Sequence, residues 1–379
     1  MSQFKNISRL VQLSKYSYES LAVFNKQSVL SKLKIWNKYL PQITPYYAIK
    51  SLSDTHILNT IAHNNIINVG FDVASKNEIE LIKKYNRPAI LSNPIKSIED
   101  ISYAKFNNIK YIVCDNIEEC NKTLSIYPDA QLIWRIKSIE SFSLIKFNSK
   151  FGASIDNTIN MFNSKDTHHI KKNIVGLSFH VGSRCSTSNA HLDTIDVIID
   201  ELLNYLIINK INLKIINIGG GFVTDDDIIN LGNSIKYYTI NTINPIKNIE
   251  YIAEPGRYFS LDCIDLYTKI IGIKDEKSIC NIYVNDSIYN TFSGKVYDHQ
   301  TFTPIPLYNN KEMKKCIIWG NTCDGDDIIC ESVYLPKPSI GDVLYWKNMG
   351  AYSLSSSCDG FNGFKKSLTL DYIDYDDIL

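Results

Sequence analysis

Residues 215–222, Ile215-Ile216-Asn217-Ile218-Gly219-Gly220-Gly221-Phe222, run a short apolar segment straight into three glycines. Residues 251–257, Tyr251-Ile252-Ala253-Glu254-Pro255-Gly256-Arg257, repeat the plan with a carboxylate, a glycine and a cation after the apolar run. Six more such runs precede them, at 46–49, 67–73, 89–91, 111–113, 132–136 and 174–179. All are short, rich in Ile and Val, and not cleanly alternating, as strands buried on both faces are. Helix-length segments separate them; in 192–206 (LDTIDVIIDELLNYL) apolar residues recur at three- and four-residue steps. Eight strand–helix units in this span match the size of a (β/α)8 barrel. An open doubly wound sheet shares the spacing and stays as the competing reading.

The run ends support the barrel. They carry Lys50, Asp72, Asn93, Asp115, Arg135, His180, the glycines 219–221, and Glu254 with Arg257. Barrel active sites lie at the C-terminal ends of the strands. From 258 onward the pattern changes to short strand-like runs broken by Gly, Pro, Asn and Asp, such as 281–284, 316–319 and 343–346. This predicts a β-rich second domain. The acidic tail 371–379 (DYIDYDDIL) reads as a solvated end or edge strand.

Composition narrows the class. Of 379 residues, 40 are Lys or Arg and 40 are Asp or Glu, so the formal net charge is zero, which argues against a general nucleic-acid binder. Hydrophobic residues make up 44% and charged residues 21%, a globular profile. No apolar run reaches the ~18 residues of a membrane span. Residues 1–10 lack the apolar core of a secretory signal, so a soluble, cytoplasmic protein is expected. Nine irregularly spaced cysteines without a C-x-x-C argue against a disulfide framework or structural zinc. His168-His169 has no third ligand at a metal spacing, and the two S-x-x-K occurrences are background.

Glycine-bearing loops after the seventh and eighth strands are a common phosphate site, because backbone N–H groups approach closely where no side chain intervenes. Arg257 adds a cation there. Lys50, at the end of Pro45-Tyr46-Tyr47-Ala48-Ile49-Lys50, faces the same end of the barrel. A lysine, a phosphate site and an acid (Glu254) together suggest a Schiff base with pyridoxal 5′-phosphate, the acid keeping the ring nitrogen protonated.

At this point the chain resembles the ornithine decarboxylase group of fold-type III pyridoxal-phosphate decarboxylases. The carrying motifs are PYYAIKS around Lys50, FDVASKNEIE at 71–80, LSFHVGSRC at 177–185 and INIGGGF at 216–222. They continue with AEPGRYF at 253–259, VYDH at 296–299, WGNTCDGDD at 319–327, NMGAY at 348–352 and FNGF at 361–364. The resemblance implies an α/β fold, a (β/α)8 barrel of the alanine-racemase type plus a C-terminal β-rich domain. The barrel is expected over 25–257, with 1–24 and 258–379 forming the β domain.

It also implies roles. Lys50 would hold the cofactor covalently, His180 would stack on its ring, and Glu254 would pair with its nitrogen. Ser183, Gly221, Gly256, Arg257 and Tyr352 would hold the phosphate; Asp72 and Arg135 would line the cofactor side, with Glu78 in support. Tyr297 and Asp298 would border the far end of the substrate, beside Phe361. Cys323 would protonate the product carbon. Asp324 would accept the distal ammonium. In the family Cys323 and Asp324 come from the partner subunit, which implies a homodimer with shared sites. Lys150 and Asp327 match a salt bridge across that interface.

Two carboxylates imply a small-molecule amino acid with a cationic tail. Asp at 298, where in the family a longer Glu accompanies arginine preference, leans toward ornithine as substrate and putrescine as product. Lysine or arginine, giving cadaverine or agmatine, are the alternatives, and a non-catalytic homologue with a regulatory binding role is the third. Diaminopimelate is disfavoured because its distal carboxylate would meet like charge. Three departures stand out: Arg184 replaces a small residue, Val223-Thr224 replaces Pro-Gly, and Asn321 replaces Pro, which is expected to loosen the loop carrying Cys323.

Overall fold

The computed structural model describes residues 18–187, 189–241, 249–276, 278–358 and 360–364. The 371–379 tail and the 1–10 segment lie outside the described residues. The chain divides into two units. One comprises Leu30–Ser53 and Leu58–Phe259; the other comprises the described parts of Met1–Val29 and Ser260–Leu379, with Asp54–Ile57.

The first unit is a closed barrel of eight parallel strands: β1 (Ile43–Ala48), β2 (Gly70–Val73), β3 (Ala89–Leu91), β4 (Tyr111–Cys114), β5 (Gln131–Arg135), β6 (Ile174–Ser178), β7 (Ile215–Asn217) and β8 (Glu250–Ala253). Each pairs with the next in sequence order. Closure is made by β8 returning to β1, with Tyr251 beside Ile43 and Ala253 beside Pro45. That register rules out the open sheet.

The strand expected from 67 begins only at Gly70, because the Asn64 side chain accepts from the N–H groups of Ile66 and Ile67 and holds them in a turn. Inside, Tyr46, Ile90, Val113, Ile133, Ile215 and Ile252 form one buried cluster. Each such side chain contributes ~1.5–3 kcal/mol by leaving water. Gly70 is needed for it, since a Cβ there would lie 2.5 Å from the Tyr46 ring.

Short caps keep the loops at the strand ends tight. Ser75, Ser97, Asn116 and Ser154 each accept a backbone N–H from the first turn of the following helix. The helix expected at 192–206 is present but broken. It runs as Asn189–Val197, then a π-helical turn Ile198–Leu202, then Leu203–Ile208.

Among the described residues the second unit holds a seven-stranded mixed sheet, one strand of which, Ile305–Pro306, pairs with Val343–Trp346. Its spine is β9 (Ile264–Asp275), with β10 (Cys280–Val284), β11 (Met313–Trp319), β12 (Ile328–Pro336) and β13 (Val343–Trp346). A bulge at Ile270/Gly272 divides β9. Its first half pairs with Leu21–Phe24 and β13, and its second half with β10. β10 and β11 run parallel, and β11 and β12 antiparallel. The β-rich domain expected after residue 257 is therefore present, with Leu21–Phe24 as one of its strands. Among the described residues no helix is long and apolar enough to cross a membrane.

Candidate active site

The C-terminal ends of the barrel strands gather the charged residues. Lys50 sits in a single tight turn, Ile49–Ser51, just past β1. That turn is pinned by Ser51 Oγ donating to Ala48 O at 2.9 Å and by Tyr47 Oη donating to Leu52 O at 2.9 Å. Lys50 Nζ lies 3.8 Å from a carboxylate oxygen of Asp72, whose side chain is 2% exposed against 43% for Lys50. Burial pushes the Asp72 carboxyl above its ordinary range, against the pull of Lys50, the Ser92 hydroxyl and Arg135. Glu78 is pushed up to about 7 by burial and by Asp72, although it accepts the Ala74 N–H at 2.6 Å. Arg135 ends β5; burial lowers its guanidinium, while Glu254, Asp115 and Asp72 oppose that.

Glu254 follows β8 and is buried. Burial and the neighbouring Asp72 charge push it up to about 7, with Lys50, Arg135 and the Asn217 side chain holding it back. Asn217 Nδ2 donates to Glu254 Oε1 at 2.6 Å, and its Oδ1 accepts the Gly219 N–H at 2.9 Å. The Glu254 N–H donates to Gly219 O at 2.7 Å, so the loops after β7 and β8 are stitched together. His180, past β6, is buried and lowered well below its ordinary value by desolvation, Lys50 and Arg135. Its Nδ1 accepts the Gly182 N–H at 3.0 Å, as a neutral imidazole can.

The three glycines lie against this ring and this acid. A Cβ on Gly220 would come within 2.7 Å of Glu254 O and 2.9 Å of His180 Nε2. Gly221, at φ +105°, would place one 2.8 Å from Val181 Cγ2. Across the gap Arg257 Nη2 donates to Ser183 Oγ at 3.1 Å. The next residue, Arg184, adopts φ +53°, a left-handed backbone that favours glycine. Gly256 packs on Ser51, where an added Cβ would meet Ser51 Cβ at 2.9 Å. The nine barrel residues expected to face the cofactor thus fall along one rim.

The remaining candidates lie in the second unit, in two groups. Cys323 and Asp324 sit on the loop between β11 and β12. The Cys323 N–H donates to Asn362 Oδ1 at 2.9 Å, which ties this loop to the Phe361–Gly363 turn. Cys323 is exposed, whereas six of the other eight cysteines are buried. Asn321 does not loosen the loop as expected, because its N–H donates to Asp286 O at 3.1 Å, a bond that proline lacks. Asp327 clasps the base. One oxygen accepts the Ile288 N–H at 3.0 Å, and the other accepts the Thr322 N–H at 3.1 Å and its hydroxyl at 2.6 Å. At 1% exposure in the single chain, this carboxylate is held by those three donors.

The second group is Tyr297, Asp298 and Tyr352. Tyr297 is 59% exposed, but Asp298 is 4% exposed, and its Oδ2 accepts from Gln300 Nε2 at 2.7 Å. The same amide donates to Ala351 O at 2.8 Å, beside Tyr352 at φ +51°. Of the two expected substrate carboxylates, Asp324 is the half-buried one and Asp298 the enclosed one.

The sequence profile described as "Pyridoxal-dependent decarboxylase, pyridoxal binding domain" matches residues 26–261. The chain belongs to this family of decarboxylases. A probable ornithine decarboxylase of Dictyostelium discoideum is 30% identical over 373 residues, covering 93% of this chain and 79% of its own. Antizyme inhibitor 2 of Xenopus laevis is 33% identical over 365 residues, covering 87% and 76%. The crystal structure of the Paramecium bursaria Chlorella virus arginine decarboxylase bound to agmatine superposes with a TM-score of 0.87 at 27% identity, over 97% of this chain and 98% of that one. Barrel and sheet accord with the alanine-racemase-type decarboxylase fold.

The family's cofactor is pyridoxal 5′-phosphate, and the rim suits it. The amine of Lys50, the Gly219–Gly221 loop packed too closely against its neighbours to carry any Cβ, the Ser183–Arg257 pair and the buried acid Glu254 fit such a group. Two supporting residues escaped the sequence reading. Asn217 was signalled only by a polar side chain inside an otherwise apolar run. His191 had no signal in its sequence neighbours; its Nε2–H donates to Gly220 O at 3.0 Å, and its ring stacks on Phe222 at 4.6 Å.

Proposed function

We propose that this protein decarboxylates L-ornithine to putrescine as a cytoplasmic homodimer, serving polyamine biosynthesis. The observation that supports it most is the single rim on which Lys50, Asp72, His180, Glu254 and the glycine cradle meet. Bound pyridoxal phosphate supplies an electron sink for the pair left behind when carbon dioxide departs. Lys50 would hold it covalently, and Ser183, Gly221, Gly256, Arg257 and Tyr352 would bind its phosphate. His180, kept neutral by burial, offers a flat uncharged ring to stack on. Glu254, braced by Asn217, would hold a proton on the ring nitrogen. Asp72 and Arg135 would set the charge on the cofactor side, with Glu78 behind Asp72.

The partner subunit would contribute Cys323, whose Sγ delivers the proton to the α-carbon, and Asp324, whose carboxylate takes the distal ammonium. Asp298, enclosed with Gln300, would shape the tail pocket together with Tyr297 and Phe361. The exposure of Cys323 and the nine unpaired thiols favour a reducing compartment.

The test is a substrate panel with product identification, using cofactor-loaded protein and Lys50→Ala as control. Ornithine is expected to exceed lysine in kcat/KM by roughly 10–200-fold, the worth of one methylene. A lysine or arginine value equal to or above that for ornithine overturns the substrate assignment. The likeness to the viral arginine decarboxylase makes arginine the second substrate to try. A loaded protein that releases no carbon dioxide from any of the three overturns catalysis in favour of a binding role, as the likeness to an antizyme inhibitor allows.

A further inference from the structure

Tyr289 lies 35 residues from Asp324 and 72 from Phe361 in sequence, yet touches both. Its phenol donates a short hydrogen bond to Asp324 Oδ2. Its ring stacks on Phe361 with centroids 3.7 Å apart and planes 9° from parallel. We propose that Tyr289 is the positioning residue for substrate selectivity, fixing the Asp324 carboxylate and the Phe361 ring as one surface that recognises a cationic tail. This rests on the reading of Asp324 as the tail carboxylate.

The geometry suits that task. A carboxylate on a half-buried loop turns freely unless its oxygens are held. Here Oδ2 takes the Tyr289 hydroxyl and Oδ1 takes the Asp326 N–H at 3.2 Å. Each oxygen keeps one lone pair for an ammonium. Both donors also favour the ionised form, and Asp324 is held below its ordinary range first of all by Tyr289.

Tyr289 is itself immobilised. Its N–H donates to Ser287 Oγ at 3.2 Å and its carbonyl accepts the Cys358 N–H at 2.9 Å. The segment it sits on is anchored by buried Asp286, which accepts the N–H groups of Ser287 at 2.7 Å and Thr291 at 3.1 Å and the Ser20 hydroxyl at 2.6 Å. A stacking role alone requires only the ring. The hydroxyl aimed at Asp324 is the feature that packing does not explain.

The experiment compares kcat/KM for ornithine with that for 2-aminopentanoate, which is ornithine without its distal amine. Tyr289→Phe keeps the ring and removes only the donor. The ornithine preference is expected to fall about tenfold, through KM rather than kcat. Asp324→Asn should lower it further, and the double variant should match Asp324→Asn alone, because the hydroxyl acts through the carboxylate. Thermal midpoints and cofactor absorbance of each variant report the fold. An unchanged preference in Tyr289→Phe beside a collapsed one in Asp324→Asn overturns the role of Tyr289 and leaves the tail carboxylate standing. An unchanged preference in Asp324→Asn overturns the substrate reading, and this inference with it.

Discussion

Replacing Glu254 by Gln should stabilise the cofactor-free protein while crippling the enzyme. Glu254 is raised from 4.5 to about 7 by burial and by Asp72. The folded state therefore binds more protons than the unfolded state between those values, and stability falls as pH rises from about 4.5 to about 7. At ~1.4 kcal/mol per pH unit, the ionised side chain costs the empty fold ~3 kcal/mol above pH 7. Gln removes that cost and can still accept from Asn217. For a unit of this size ~1 kcal/mol moves the midpoint by ~2–4 °C. The variant is thus expected to melt roughly 6–12 °C above the wild type at pH 8 and level with it below the ordinary carboxyl value of 4.5. Circular dichroism melts of cofactor-free protein at four pH values would measure this. A midpoint difference that stays flat across pH, or turns negative at pH 8, refutes the account of the buried charge. The same variant, once loaded with cofactor, should lose about 10²–10³-fold in decarboxylation if Glu254 has the proposed role of holding a proton on the ring nitrogen.

Three further outcomes follow from the same geometry. Gly221→Ala puts a Cβ at φ +105° and 2.8 Å from Val181 Cγ2, so cofactor affinity measured by equilibrium dialysis should drop at least about tenfold. Asn217→Ala leaves Glu254 Oε1 without its donor, so Glu254 should titrate still higher. The acid limb of the cofactor-binding pH profile should move upward, and an unmoved limb would show that Asn217 does not tune Glu254. Cys323→Ala should lower the rate of correct amine formation by about 10²–10⁴-fold, read by comparing putrescine formed with carbon dioxide released. A one-to-one yield at the wild-type rate would assign the proton to another group.

The barrel was legible because its strands are buried on both faces and so read as bare Ile/Val runs, and because their polar ends announce themselves one after another. Closure was not legible: it depends on the β8–β1 register, which no local pattern encodes. The unbroken periodicity of 192–206 concealed the π-helical turn at Ile198–Leu202, since one extra residue in a turn leaves apolar spacing almost unchanged. β9 escaped because its bulge interrupts alternation at Gly272.

In the candidate site, the placement of Lys50, Glu254 and the glycines was readable because each is chemically conspicuous at a strand end. Tyr289 and Asn217 were not. Their contributions are hydrogen bonds to residues 35 and 37 positions away, and nothing about a tyrosine or an asparagine in sequence specifies its partner. Asp298 was named by a motif, but its enclosure beside Gln300 was not readable from the sequence.

The Asp327 clasp separates the foundation of its loop from the apex. Every donor it engages, from Ile288 and Thr322, lies at the foot. Residues 323–326 at the crest can therefore change identity without loosening the sheet beneath. Such an arrangement lets a lineage drift from one amino-acid diet to another by exchanging a few exposed letters, while the frame that presents them endures.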